Sequence, residues 1–187
     1  TIKLTDNSDD NNFLFTENVA LKALEDYVFW LSDVPGIDAA AVKLVLDFGG
    51  NGDNCEVVIK NIVLKDHAND DGTKLPSAEP EEEKPNVNWV DEASSENMWN
   101  SANVAPTFWF ADASWAQIAD PEYSFADGVH TVFMPNATEA QWQGQMTFGN
   151  LGIASYAGKN YDFRIVLKAD KDIPAATVKL TKNDDDN

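Results

Sequence analysis

The pattern that most constrains this chain is a series of short alternating runs. Apolar and polar residues alternate over 12–16, 27–31, 41–48, 56–64, 107–110, 130–134, 141–148, 161–168 and 177–181. A period of two places alternate side chains on opposite faces of an extended strand, so each run buries one face and wets the other. Turn residues separate the runs, as in Val34-Pro35-Gly36, Gly49-Gly50-Asn51-Gly52, Asp127-Gly128 and Ala157-Gly158-Lys159. Helical periodicity is scarce. Many short strands broken by such turns predict an all-β, two-sheet antiparallel β-sandwich of jelly-roll type. The 187 residues suffice for one such domain.

The two ends carry a repeat. Thr1-Ile-Lys-Leu-Thr-Asp-Asn-Ser-Asp-Asp-Asn11 is nearly copied by Thr177-Val-Lys-Leu-Thr-Lys-Asn-Asp-Asp-Asp-Asn187, with nothing similar between. A repeat so placed is what a window about one period wide on a tandem array would show. Residues 1–70 then form the closing half of one module and 86–187 the opening half of the next. The acidic, proline-bearing stretch 70–85 joins them. The expectation is a single sandwich over 1–187, built from both halves in circularly permuted order and cut from a longer chain.

Charge narrows the partners. Thirty-two acidic against thirteen basic residues give a formal charge of -19, which repels nucleic-acid phosphates and anionic membrane surfaces. No run reaches the roughly 18 apolar residues of a membrane helix. Neutral ligands are compatible with this field. The lone Cys55 excludes an intramolecular disulfide, and His67 with His130 cannot build a Cys/His zinc site. No cofactor is expected. A structural calcium ion is the one metal left open, although the Asp-rich ends lack the glycine and closing glutamate of an EF-hand loop. Asp112, Asp120 and Glu122 are the carboxylates that a glycosidase would use, without a spacing that selects any pair.

Six tryptophans, at 30, 89, 99, 109, 115 and 142, are more than a core of this size needs. Pyranose rings stack their C–H faces on exposed aromatics, while amides supply the donors and acceptors that sugar hydroxyls require. Strand parity over 141–148 assigns Trp142, Met146 and Phe148 to the core and Gln141, Gln143, Gln145 and Thr147 to the open face. In 25–30 the same rule turns Val28 and Trp30 outward. In 41–48 it buries Val42, Leu44, Leu46 and Phe48, and in 161–168 it leaves Arg164 on the polar side. Gln, Arg, Lys, Asp and Trp would then share one groove floor. The stretch 109–123 reads as a loop carrying Trp109, Trp115 and Tyr123, with Trp115 the leading stacking residue.

These motifs together resemble family 4-type carbohydrate-binding modules. Trp142-Gln-Gly-Gln145, Gly149, Ala157-Gly-Lys159 and the run 161–168 are similar to the opening half of that family. Phe48-Gly-Gly50 and 57–64 are similar to its closing strands. Asn97-Met-Trp99, Trp109, 115–122 and Gln141-Trp-Gln143 resemble variants from glycan-degrading gut bacteria, above all tandem modules inserted within family 10 xylanases. The resemblance covers nearly the whole chain, with the closing half first. It implies a non-catalytic module, secreted or at the cell surface or in the periplasm as part of a larger exported protein, that holds xylan or a related β-glycan by aromatics and Gln, beside a catalytic domain in the same parent chain. Gln145 carries over best by motif position, then Gln143 and Trp115; Trp109, Trp30 and Tyr123 rest on parity and loop position. The rivals are a sandwich-fold glycoside hydrolase and an adhesive module without a glycan site.

Overall fold

The computed structural model describes residues 13–50, 54–67, 90–99, 105–112, 114–118, 121–135 and 138–184. The acidic stretch 70–85, the N-terminal copy of the repeat and the last three residues lie outside these. Among the described residues ten strands form: β1 (Phe13–Leu21), β2 (Tyr27–Pro35), β3 (Val42–Asp47), β4 (Cys55–Asp66), β5 (Thr107–Phe110), β6 (Glu122–Ala126), β7 (Val129–Met134), β8 (Gly144–Phe148), β9 (Asn160–Ala169) and β10 (Ile173–Lys182). They make two five-stranded antiparallel sheets, ordered β1-β10-β3-β8-β5 and β2-β9-β4-β7-β6. The protein is a β-sandwich, as the alternation predicts.

The pairing follows one rule. The first strand meets the tenth, the second the ninth, the third the eighth and the fourth the seventh. This is the winding of a long hairpin rolled into two layers. Strands from before and after the 70–85 stretch interleave over the first four positions of each sheet, and one hydrophobic cluster draws on both. Phe15, Phe29 and Phe163 meet at its centre, with ring centroids 5.0–6.2 Å apart. Trp99 packs edge-on against Phe148.

Parity places the core residues of the regular strands correctly, although Val45, Asp47, Asp162 and Val166 on the other parity are buried as well. Val42, Leu44, Leu46 and Phe48 are buried, as are Tyr161, Phe163, Ile165 and Leu167. Three expectations need correction. Residues 141–143 are not strand but one 3-10 turn, so parity fails there. The stretch 109–123 is not all loop, since Thr107–Phe110 and Glu122–Ala126 are strands and Tyr123 lies on β6. Strand β2 also runs through the anticipated turn to Pro35, across an irregular register between Leu31 and Val34 where Asp33 takes a φ of 61°.

Candidate functional site

The outer face of the first sheet carries a row of polar side chains running across all five strands. Asn18 pairs with Thr177, Thr177 with Asp47, Asp47 with Gln145, and Gln145 with Trp109. Neighbouring strands lie about 4.8 Å apart, so four spacings extend about 19 Å. Gln145 Nε2 donates to Asp47 Oδ1 at 3.0 Å. Gln141, one turn earlier, donates from Nε2 to Thr177 Oγ1 at 2.6 Å and to Asn18 Oδ1 at 3.0 Å. Burial pushes the Asp47 carboxyl above its usual range, against the lowering pull of Gln145, Thr177 and Lys179. The row therefore mixes amide, hydroxyl and carboxylate groups that donate and accept in alternation.

Aromatic rings border it. Trp109 closes the row on the edge strand β5, its ring 40% exposed. Phe108 and Phe110 on either side pack toward the core, which is why Trp109 faces out. Beyond the end where β5 leaves the sheet and β8 enters it, Trp115 and Trp142 pack together with centroids 4.4 Å apart and planes inclined 31°. Trp115 is 65% exposed. Its backbone has a φ of 65°, a left-handed conformation uncommon for a bulky residue. The turn around it is held by Asp112, whose Oδ1 accepts from the Ser114 amide and hydroxyl and from the Ala116 amide. These bonds hold the Asp112 carboxyl below its usual range. Asp112 is thus engaged by its own turn, and Asp120 lies outside the described residues.

The two motif glycines explain the position of Gln141 and Trp142. Gly49 and Gly144 press against each other: a methyl on Gly49 would overlap the carbonyls of Ala140 and Gln141 and the amide of Gly144. The Gly49 amide donates to Gln141 O at 2.8 Å, and the Phe48 amide to Gly144 O at 2.7 Å. Phe48-Gly-Gly50 therefore seats the 3-10 turn on the end of β3.

The predicted site residues divide. Trp109 and Gln145 are cross-strand neighbours on the outer face of the first sheet, and Trp115 lies past the end of β5. Trp142, expected in the core, packs against Trp115 because the 3-10 turn rotates it outward. Gln143, expected on the open face, is buried, and its Oε1 accepts from the Glu139 and Ala140 amides at 3.0 and 2.6 Å. Its carbonyl oxygen serves the turn. Tyr123 points inward from β6; its hydroxyl meets His130 Nδ1 at 2.9 Å and its ring packs on Phe108. Trp30 does face outward, but on the second sheet, opposite Arg164 and packed against Val63 and Val90. The single groove floor of Gln, Arg, Lys, Asp and Trp is thus split between two opposite faces, because parity tells in from out but not which sheet. Asn18 and Thr177 were missed, and their alignment with Asp47 and Gln141 follows only from cross-strand register.

The chain matches no family model, no curated protein and no solved structure. Among the described residues no three His, Cys, Asp or Glu side chains converge as a metal site would require.

Proposed function

We propose that this domain binds a neutral β-linked polysaccharide, xylan first among them, on the outer face of the first sheet. The observation that carries this reading is the transverse polar row ending at Trp109, with the exposed Trp115–Trp142 pair just beyond the sheet end. Exposed indole faces offer apolar area to sugar rings, and paired amide and carboxylate groups satisfy hydroxyls that each donate and accept. A row about 19 Å long suits several linked rings rather than a single sugar. The resemblance to family 4-type carbohydrate-binding modules supports the same ligand class and a role as a non-catalytic module of a secreted glycoside hydrolase. Neutrality of the ligand suits a protein with a charge of -19.

Native affinity gels cast with xylan, mixed-linkage glucan, hydroxyethylcellulose and mannan test this directly. Retardation by xylan that is reduced in Trp109→Ala and in Trp115→Ala is the expected result. Equal mobility in every gel would end the glycan reading, and release of reducing sugar from xylan would replace it with a hydrolase.

A further inference from the structure

Arg164 is the only arginine of the chain, among 32 acidic residues. It projects from β9 on the outer face of the second sheet, in a rung between Trp30 of β2 and Val63 of β4. The other described cations on that side have acids beside them. Lys60 and Lys168 lie 2.7 and 3.8 Å from Asp26, while Lys65 and His67 lie 3.2 and 2.8 Å from Asp162. Among the described residues, the Arg164 guanidinium has neither an ion pair nor a hydrogen bond. It is only partly exposed, and burial pulls its pKa down.

A guanidinium cannot shed its charge, so leaving one half-buried and unpaired is costly unless an anion completes it. Its planar fork matches a carboxylate in two parallel hydrogen bonds. We propose that Arg164, with the Trp30 ring beside it, binds a carboxylate carried on a sugar ring, that is, a uronate. The strand argues for a ring-borne acid over an acidic peptide. β9 is flanked by β2 and β4 along its length, so no free backbone ladder exists there for a peptide strand to join. Recognition at this rung must come from side chains, and a planar fork set between two apolar neighbours, Trp30 and Val63, fits a small ring bearing one carboxylate. The site lies on the second sheet and is independent of whether the first binds a glycan.

Calorimetric titration of the intact protein with sodium glucuronate, and with glucose as its uncharged match, tests the proposal. Glucuronate is expected to bind and glucose not to. Arg164→Gln is expected to weaken glucuronate roughly tenfold or more, the loss of a charge-assisted pair. Arg164→Lys, which keeps the charge without the fork, should fall between and provides the readout if the Gln variant unfolds. Glucuronate binding equal to glucose, or undiminished in both variants, would overturn the site. So would tighter binding of a short oligoglutamate, which would make the partner an acidic peptide.

Discussion

Trp142 and Gln143 are neighbours whose roles exchange between strand parity and structure, and substitution separates the two. Trp142→Ala removes a ring that is already 40% exposed, so it should cost about 1–2 kcal/mol, short of the 3–5 of a core aromatic, while weakening xylan retention. Gln143→Ala strips two backbone amides of their acceptor and should cost about 1–3 kcal/mol; urea titration of both variants checks the order. Trp115→Gly should weaken retention in gels yet leave the melting temperature unchanged or higher, because glycine relieves the left-handed backbone at that position. The two histidines titrate in opposite directions. Hydrogen bonding to Asp162 raises His67, whereas burial lowers His130 to about 4. His130 therefore contributes its full stability above about pH 6.5 and loses it as pH falls toward 4, on the order of 3 kcal/mol in all. His67 contributes below about pH 6.5 and loses that contribution as pH rises through its folded pKa. Proton–carbon spectra of just two imidazoles, recorded from pH 8 to 3.5, should show one midpoint above 6.5 and one far below. Coincident midpoints near 6.5 would contradict the buried placement of His130.

Among the elements, the 3-10 turn before β8 decides how much of the site exists. Its seat is the Gly49–Gly144 contact, where no side-chain atom fits. Gly49→Ala should therefore destabilise the protein by about 1–3 kcal/mol through overpacking, and should reduce xylan retention by displacing Gln141 and Trp142 from the sheet end. Gly152→Ala makes a useful comparison: a methyl there meets nothing within 4 Å, and only its φ of 69° resists the change. A smaller stability loss and normal retention are expected for it. Both glycines of the seat stand in the sequence as Phe48-Gly-Gly50 and Gln143-Gly-Gln145. The reason for them did not, because their contact joins residues nearly a hundred positions apart. The strands themselves were readable where they are regular, as in β3 and β9. Strand β6 was hidden by its own exposure: apart from the half-buried Tyr123, all its residues are exposed, so no alternation marks it.

At the scale of the molecule, strands from either side of the 70–85 stretch interleave within each sheet. Cutting the backbone there should leave a complex held by the β1–β10, β3–β10, β2–β9, β3–β8, β4–β7 and β4–β9 pairings. We expect a protease site inserted at Glu82 to yield two fragments that elute together and melt in one cooperative transition, and that do not fold apart. Separate elution under native conditions would refute this. The C-terminal copy of the repeat supplies Thr177–Thr181 to β10, an interior strand of the first sheet, and Thr177 stands in the polar row. Sequence by itself determined the all-β class and most strand interiors, because alternation is a local consequence of burying one face. It also determined the wealth of tryptophan and the charge that repels nucleic-acid phosphates and anionic membrane surfaces. Which face each outward residue serves was decided only by tertiary structure. Trp30 and Arg164 read like Trp109 and Gln145 along the chain, yet they occupy the opposite sheet. Alternation encodes inside against outside, whereas sheet membership and the alignment of Asn18, Thr177, Asp47 and Gln145 arise from pairing between distant strands.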